Sequence, residues 1–332
     1  MIRVLLVDDS QSFRLALGAV LRQDPEFEVV GLAKSGTEGL MLARTLRPDL
    51  VVMDLVMPGM NGLEATHALM REVPCPVVIV SSLVDTNAQQ VVFEALRAGA
   101  VEVMKKPRDL GAPAVRREML ETLRAMAKVA VVQLRGSTAP KASPVNGVPP
   151  GLVVIGASTG GPPALSEILR QLPATFPWPI VVAQHLASGF SAGLCQWLQG
   201  CTALPVHSVD HGMRLMGGSV YLAPDDHHLE LAWPFIRTIP VASSEVVSPS
   251  VDRLFGSARG VLPLVAVLLT GMGEDGARAL KDLHDLGAHT LVQDEGTSLV
   301  WGMPRVAREL GAAREELSLS RIGPRLLALS QA

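Results

Sequence analysis

Short apolar runs alternate with segments of helical period through the first third of the chain. Arg3 to Val7, Glu28 to Ala33, Asp49 to Met53, Val77 to Ser81 and Val101 to Met104 read as strands. Ser12 to Arg22, Gly36 to Thr45, Leu63 to Arg71, Asn87 to Ala98 and Pro113 to Ala127 read as the helices between and after them. Strands that are apolar throughout and separated by helices predict a parallel sheet covered on both faces, with ligands collecting beyond the carboxyl ends of the strands. From about Val129 to Pro150 the pattern gives way to proline, glycine and small polar residues, the mark of a connector. Its early part, Val129 to Leu134, is apolar enough to pack on either flank. A second alternating region opens with the strand Leu152 to Ile155, a glycine-rich turn and a helix starting near Pro162, and continues with strands at Ile180 to Ala183 and Val265 to Leu269. The expected fold is α/β: a five-stranded parallel sheet over residues 1–125, a linker over 126–150, and a doubly wound, Rossmann-like domain of α/β-hydrolase type over 151–332.

Composition agrees with that division. At 332 residues the chain exceeds the size at which one core usually stops growing, and it is 48% hydrophobic and 18% charged. No apolar run approaches the roughly 20 residues that cross a bilayer, and the first run ends in Asp8-Asp9, not at a small-residue cleavage site. A cytoplasmic protein without membrane insertion is expected. A net charge of -3 gives no electrostatic reason to expect nucleic acid. Cys75, Cys195 and Cys201 form no short metal-binding pair and fit reduced thiols.

The strand ends of the first region carry Asp8 and Asp9, then Asp54, Ser81 and Lys106. Three carboxylates converging on one sheet edge repel each other unless a hard cation neutralises them, and an oxygen-only ligand set suits magnesium. Asp54 can then act as nucleophile toward a phosphoryl donor, with Lys106 compensating the new charge and Ser81 hydrogen-bonding a phosphoryl oxygen. Singly, each acid is as readily a turn or helix-cap residue; the set together is what points to chemistry.

In the second region, Gly156-Ala157-Ser158-Thr159-Gly160-Gly161 permits a sharp strand-to-helix turn that presents a hydroxyl at a sheet edge. The turn alone admits three readings: a nucleophilic Ser158, a helix cap at Ser158 or Thr159, and a phosphate cradle. His185, on a rigid strand end, is the best base candidate among the eight histidines. Asp225-Asp226 with His227-His228, and His207 with Asp210 and His211, are weaker metal candidates, because adjacent histidines on a strand point to opposite faces and the second cluster reads as a solvated turn.

Residues 1 to about 125 resemble the receiver domains of bacterial response regulators, through Asp8-Asp9, the stretch Met53-Asp54-Leu55-Val56-Met57-Pro58-Gly59-Met60-Asn61-Gly62, Ser81 and Lys106-Pro107. The resemblance implies phosphotransfer from a histidine kinase to Asp54, with Mg²⁺ held by Asp9, Asp54 and the backbone carbonyl of Val56, and Asp8 helping to organise the ion. Val103 stands where receivers commonly carry an aromatic residue, so signalling through a rotating aromatic ring is not expected.

Residues 151 to 328 resemble the catalytic domain of the chemotaxis protein-glutamate methylesterases. The blocks that carry this are Gly156 to Gly161, Gln184-His185, Tyr221 to Pro224, Pro249 to Phe255, Leu269 to Gly276 and Trp301 to Pro304. The resemblance implies Ser158 as nucleophile, His185 as general base, Asp275 as the carboxylate orienting it, and the N–H groups of Thr159 and Met272 as oxyanion donors. No cofactor is implied for ester hydrolysis. Thr270, Met272 and Met303 are expected to line an open cleft for a receptor helix. Glu274 and Trp301 depart from the family's frequent asparagine and phenylalanine. Implied partners are methyl-accepting receptors in their arrays and a kinase, with the chain a monomer. Deamidation of receptor glutamines is a second activity of the family. A catalytically inert receptor adaptor is the alternative, while a DNA-binding regulator is disfavoured because no basic recognition helix is present.

Overall fold

The computed structural model describes residues 1–82, 94–96, 98–107, 109–128, 150–242 and 248–331. Most of the helix expected over Asn87 to Ala98, and the connector from 129 to 149, lie outside the described residues. The chain divides into two compact units, Met1–Arg135 and Gly136–Ala332.

The first unit is a five-stranded parallel sheet in the order β2-β1-β3-β4-β5. Its strands are β1 (Ile2–Val7), β2 (Phe27–Ala33), β3 (Leu50–Met53), β4 (Val77–Ser81) and β5 (Glu102–Lys105). The helices follow the apolar periodicity, at Gln11–Arg22, Gly36–Leu46, Gly62–Glu72 and Pro113–Met126. Local chemistry sets their starts: Ser10 accepts a hydrogen bond from Phe13 N–H, and Asn61 with Glu64 forms a capping box. The strand order reverses between β1 and β3, which is where a doubly wound sheet opens a crevice. Asp8 and Asp9 follow one of these strands and Asp54 the other.

The second unit is built on a seven-stranded parallel sheet in the order β15-β14-β13-β6-β7-β10-β8. These are β6 (Leu152–Ala157), β7 (Ile180–Gln184), β8 (Val206–Ser208), β10 (Val220–Leu222), β13 (Leu264–Leu268), β14 (His289–Gln293) and β15 (Glu315–Leu317). Every residue of β6, β7 and β13 is buried, so continuous Val, Ile, Leu and Ala runs supply the core, at about 1.5–3 kcal/mol for each large side chain withdrawn from water. The chain leaves β6 for β7 on one side and returns to β13 on the other, placing a crevice at the end of β6.

A small antiparallel sheet, β11-β12-β9, was not expected from the sequence: β9 (Met213–Arg214), β11 (His227–Ala232) and β12 (Phe235–Pro240). The helix Val251–Ser257 packs close to β6 because Gly156 has no side chain: a methyl there would lie 2.2 Å from Val251 Cγ1. That approach brings the start of the helix to the crevice. No helix among the described residues is long and apolar enough to cross a membrane.

Candidate active site and phosphoacceptor site

Ala157 and Gln184 are paired in the β6-β7 ladder, so Ser158 and His185 each stand one residue beyond it on neighbouring strands. The ladder closes with His185 N–H donating to the Ala157 carbonyl at 2.9 Å. Ser158 is tied from the other side, its N–H donating to the Thr270 carbonyl at 3.0 Å at the end of β13. Gly160 then turns the chain through φ +76° into the helix Gly161–Arg170. That helix has Gly160 at its N-cap and no side-chain cap bond, so neither Ser158 nor Thr159 caps it. The Ser158 hydroxyl is half-buried and hydrogen-bonds to none of the described residues.

His185 Nε2 lies 2.7 Å from Asp275 Oδ2. The carboxylate sits against the first turn of the helix Val251–Ser257: Oδ2 also accepts from Val251 N–H at 2.7 Å, and Oδ1 accepts from Asp252 N–H at 2.9 Å and from the Ser250 hydroxyl at 3.3 Å. The arrangement is reciprocal, since Asp252 Oδ1 in turn accepts from Ala279 N–H at 3.1 Å in the helix Ala277–Asp285 just after Asp275. Burial by itself would raise the Asp275 carboxyl, yet the bond from His185 and the Asp252 and Val251 amides hold it below the usual carboxylate value. Asp252, half-buried and close to the Asp275 charge, is shifted upward by its desolvation first and by Asp275 second. An ionised Asp275 accepts hydrogen bonds without donating, so Nε2–H of His185 is the donor in this bond.

Neither Thr159 N–H nor Met272 N–H donates to any described residue. The expected cleft lining needs correction. Thr270 is 1% exposed, its hydroxyl engaged with the Thr159 and Val300 carbonyls and its N–H with Gln293 Oε1; Met303 is fully buried. Both are therefore packing residues, next to the point where Gly271 bridges to Trp301, whereas Met272 remains partly exposed. Glu274 points outward, its side chain 63% exposed and 3.5 Å from Arg278, with no bond to Asp275. Trp301 packs under the Arg308 guanidinium at 4.5 Å.

Gly271 is wedged between Ser158 and Met303. A methyl at that position would lie 2.3 Å from Met303 Sδ and 2.7 Å from Ser158 Cβ. Gly271→Ala is therefore expected to displace Ser158 and lower kcat about 100-fold, with little change in KM. Steady-state kinetics within about threefold of the parent would show that the serine tolerates the shift.

The weaker histidine candidates are accounted for by structure. His228 is buried, accepting Ser250 N–H on Nδ1 at 2.9 Å, while His227 Nδ1 meets the Asp225 carbonyl at 2.7 Å. Asp225 Oδ1 accepts from Phe190 and Ser191 N–H at the start of the helix Ser191–Gln199. His207 stacks on Tyr221, and His211 faces the Thr238 carbonyl.

In the first unit, Asp8, Asp9 and Asp54 present carboxylate oxygens within 4.8 Å of one another, the one such acidic, histidine or cysteine group found among the described residues. Lys106 Nζ bridges Asp8 Oδ2 at 2.6 Å and Asp54 Oδ2 at 2.9 Å, with the Phe13 ring centroid 4.6 Å away. Burial pushes the Asp8 carboxyl up, against the Lys106 hydrogen bond and with the Asp54 charge adding to the rise. Burial acts to lower the Lys106 ammonium, but the bonds to Asp8 and Asp54 outweigh it and raise it. Ser81 is buried at the end of β4, its carbonyl accepting Lys106 N–H at 2.8 Å, and Val56 is exposed beside Asp54. Val103 lies half-buried on β5.

Pattern reading missed the residues that support these groups. Gln184 stood out only as the neighbour of His185, and Ser250, Val251 and Asp252 only as part of a block. Serine before an acidic helical turn is a cap signal, and it marked the helix start that holds Asp275.

Comparison with known proteins gives two family matches: a model described as CheB methylesterase over residues 153–326, and one described as response regulator receiver domain over residues 4–112. A protein-glutamate methylesterase/protein-glutamine glutaminase of Myxococcus xanthus (strain DK1622) is 44% identical, covering 98% of this chain and 96% of the relative. One from Geobacter metallireducens (strain ATCC 53774 / DSM 7210 / GS-15) is 41% identical over 99% of each. The crystal structure of the Thermotoga maritima CheB methylesterase catalytic domain matches 56% of this chain and 100% of its own, at 35% identity and a TM-score of 0.51.

Proposed function

The chain belongs to the CheB methylesterase family and carries a response regulator receiver ahead of the methylesterase domain, and from that premise we propose that Ser158, His185 and Asp275 hydrolyse glutamate methyl esters on chemoreceptors under control of phosphorylation at Asp54. The observation that carries the proposal is His185 held by Asp275 at 2.7 Å, one strand away from a Ser158 hydroxyl that bonds to none of the described residues.

His185 Nδ1 takes the Ser158 proton as Oγ attacks the ester carbonyl, and Asp275 stabilises the imidazolium through Nε2–H. Apo enzymes often lack the nucleophile-to-base bond and form it when substrate binds. Negative charge on the tetrahedral oxygen is met by Thr159 and Met272 N–H. Collapse expels methoxide, protonated by His185 to methanol, and leaves an acyl-enzyme. Water, deprotonated by His185, attacks that acyl group and frees the glutamate and Ser158. A glutamine side chain would take the same course with ammonia leaving in place of methanol.

In the receiver, the acidic group fits a hard divalent cation, because the three donors it brings together are all carboxylate oxygens. Asp9, Asp54 and the Val56 carbonyl would hold Mg²⁺, with Asp8 organising it, and the ion would offset charge on a phosphoryl group. Lys106 then exchanges its carboxylate contacts for a phosphoryl oxygen, and Ser81 hydrogen-bonds another. The partners are methylated receptors in their arrays and a histidine kinase, the protein acting as a monomer in the cytoplasm. The working division is receiver 1–125, linker 126–150 and catalytic domain 151–332, with the unphosphorylated receiver hindering the catalytic cleft and phosphorylation shifting the population away from that state.

Deleting residues 1 to about 140 should then raise basal methanol release several-fold, and the fragment should ignore phosphoryl donors. A folded fragment slower than the unphosphorylated whole chain, at matched receptor concentration, would rule out simple hindrance.

A further inference from the structure

We propose that Gln184 is a positioning residue for the hydrolysis, aiming both an oxyanion donor and the general base through one buried side-chain amide; this rests on the roles proposed for Ser158, Thr159 and His185. Gln184 is the last residue of β7 and is 4% exposed. Its Nε2 donates to the Ser158 carbonyl at 2.9 Å and to the His185 carbonyl at 2.8 Å. Both acceptors are carbonyls, so the amide can lie only one way round, with its NH₂ toward them.

Peptide geometry links these bonds to the chemistry. The Ser158 carbonyl and the Thr159 N–H belong to one planar trans unit and point in opposite directions. A bond that fixes the carbonyl therefore aims the N–H, and this is the amide proposed to meet the oxyanion. Gly161 N–H donates to the same carbonyl at 2.7 Å, so the peptide is gripped by two donors. Gln184's other N–H holds the His185 carbonyl just past the final β6-β7 rung, fixing the backbone from which the imidazole projects.

The amide's own oxygen shows that this is a residue chosen for its donors. Gln184 Oε1 is buried with no hydrogen-bond partner among the described residues, which is unfavourable. A neutral side chain that must offer two N–H bonds from one nitrogen has to carry that oxygen along. Room for it is made by Gly161, where a methyl would lie 1.8 Å from Oε1. An apolar residue at 184 would avoid the orphan acceptor but would leave both carbonyls without this donor.

The test uses the full-length protein with methylated receptor membranes and, as a transition-state probe, phenylboronic acid, whose Ser158 adduct places an oxygen where the oxyanion forms. Gln184→Met keeps length and volume and removes both donors. It is expected to lower kcat about 100-fold with KM within about twofold, and to weaken phenylboronic acid by a similar factor, while the thermal unfolding of the catalytic unit stays close to the parent's. Gln184→Asn, which retains the amide but is one methylene too short for both carbonyls, should behave alike. Parent-like kcat and boronate affinity in either folded variant would overturn the proposal, as would loss of fold in both, since Gln184 would then serve stability alone. Ser158→Ala run alongside separates the two layers: if that variant turns over, the assignment of the nucleophile has failed; if it is inactive and Q184M is not impaired, only the role of Gln184 has.

Discussion

Ser158→Ala is expected to release methanol from methylated receptors at least about 10⁴-fold more slowly than the parent, with unfolding and receptor binding unchanged. The size of the loss reflects the chemistry: without Oγ there is no acyl-enzyme, and water would have to attack the ester directly from a site shaped for a serine. Fold is spared because Ser158 is held by its backbone, through Thr270, Gly161 and Gln184, while its hydroxyl bonds to none of the described residues. Single-turnover methanol release on the purified variant checks this, and a rate within tenfold of the parent would remove Ser158 from the role of nucleophile.

Asp275→Asn should lower kcat by about 10³–10⁴ at neutral pH, because an amide donor facing Nε2 drives the imidazole proton to Nδ1, the nitrogen required as base. The carboxylate also accepts Val251 and Asp252 N–H at the helix start, so some loss of stability accompanies the change. Unfolding measurements separate the two effects, since only the tautomer argument predicts an inactive protein at temperatures where the variant is fully folded. A folded variant within tenfold of the parent would show that the carboxylate is structural. Stability has a matching pH dependence. A carboxyl held below its usual value contributes stability that is fully present above the unfolded carboxyl's pKa, near 4, and is lost as pH falls through the depressed folded value.

The first sheet, the three central strands β6, β7 and β13 of the second, and their polar strand ends were legible in the sequence because these strands are mostly apolar, and a parallel sheet delivers the residues after such strands to one edge. Asp8, Asp54, Ser158 and His185 were found on that logic. Their supports were not, for physical reasons. The grip of Gln184 on two carbonyls depends on a side chain turning back past its own strand end, which period-two alternation does not encode. The cradle of Asp275 joins residues more than twenty positions apart, and no local pattern pairs them. Thr270 and Met303 looked like cleft residues because they come after a strand and open a helix; their burial is a tertiary fact. The antiparallel sheet escaped notice because β9 is two residues long and β12 is largely solvent-facing, which leaves little apolar signal.

The central claim is that one chain joins phosphorylation at Asp54 to ester hydrolysis at Ser158. Methanol release from methylated receptor membranes, measured with and without a small-molecule phosphoryl donor and Mg²⁺, tests it most directly. The account predicts turnover that rises several-fold with the donor in the parent, stays at the basal rate in Asp54→Asn, and is absent in Ser158→Ala under either condition. Methanol release that is equal with and without the donor in a protein demonstrably phosphorylated on Asp54 would contradict it.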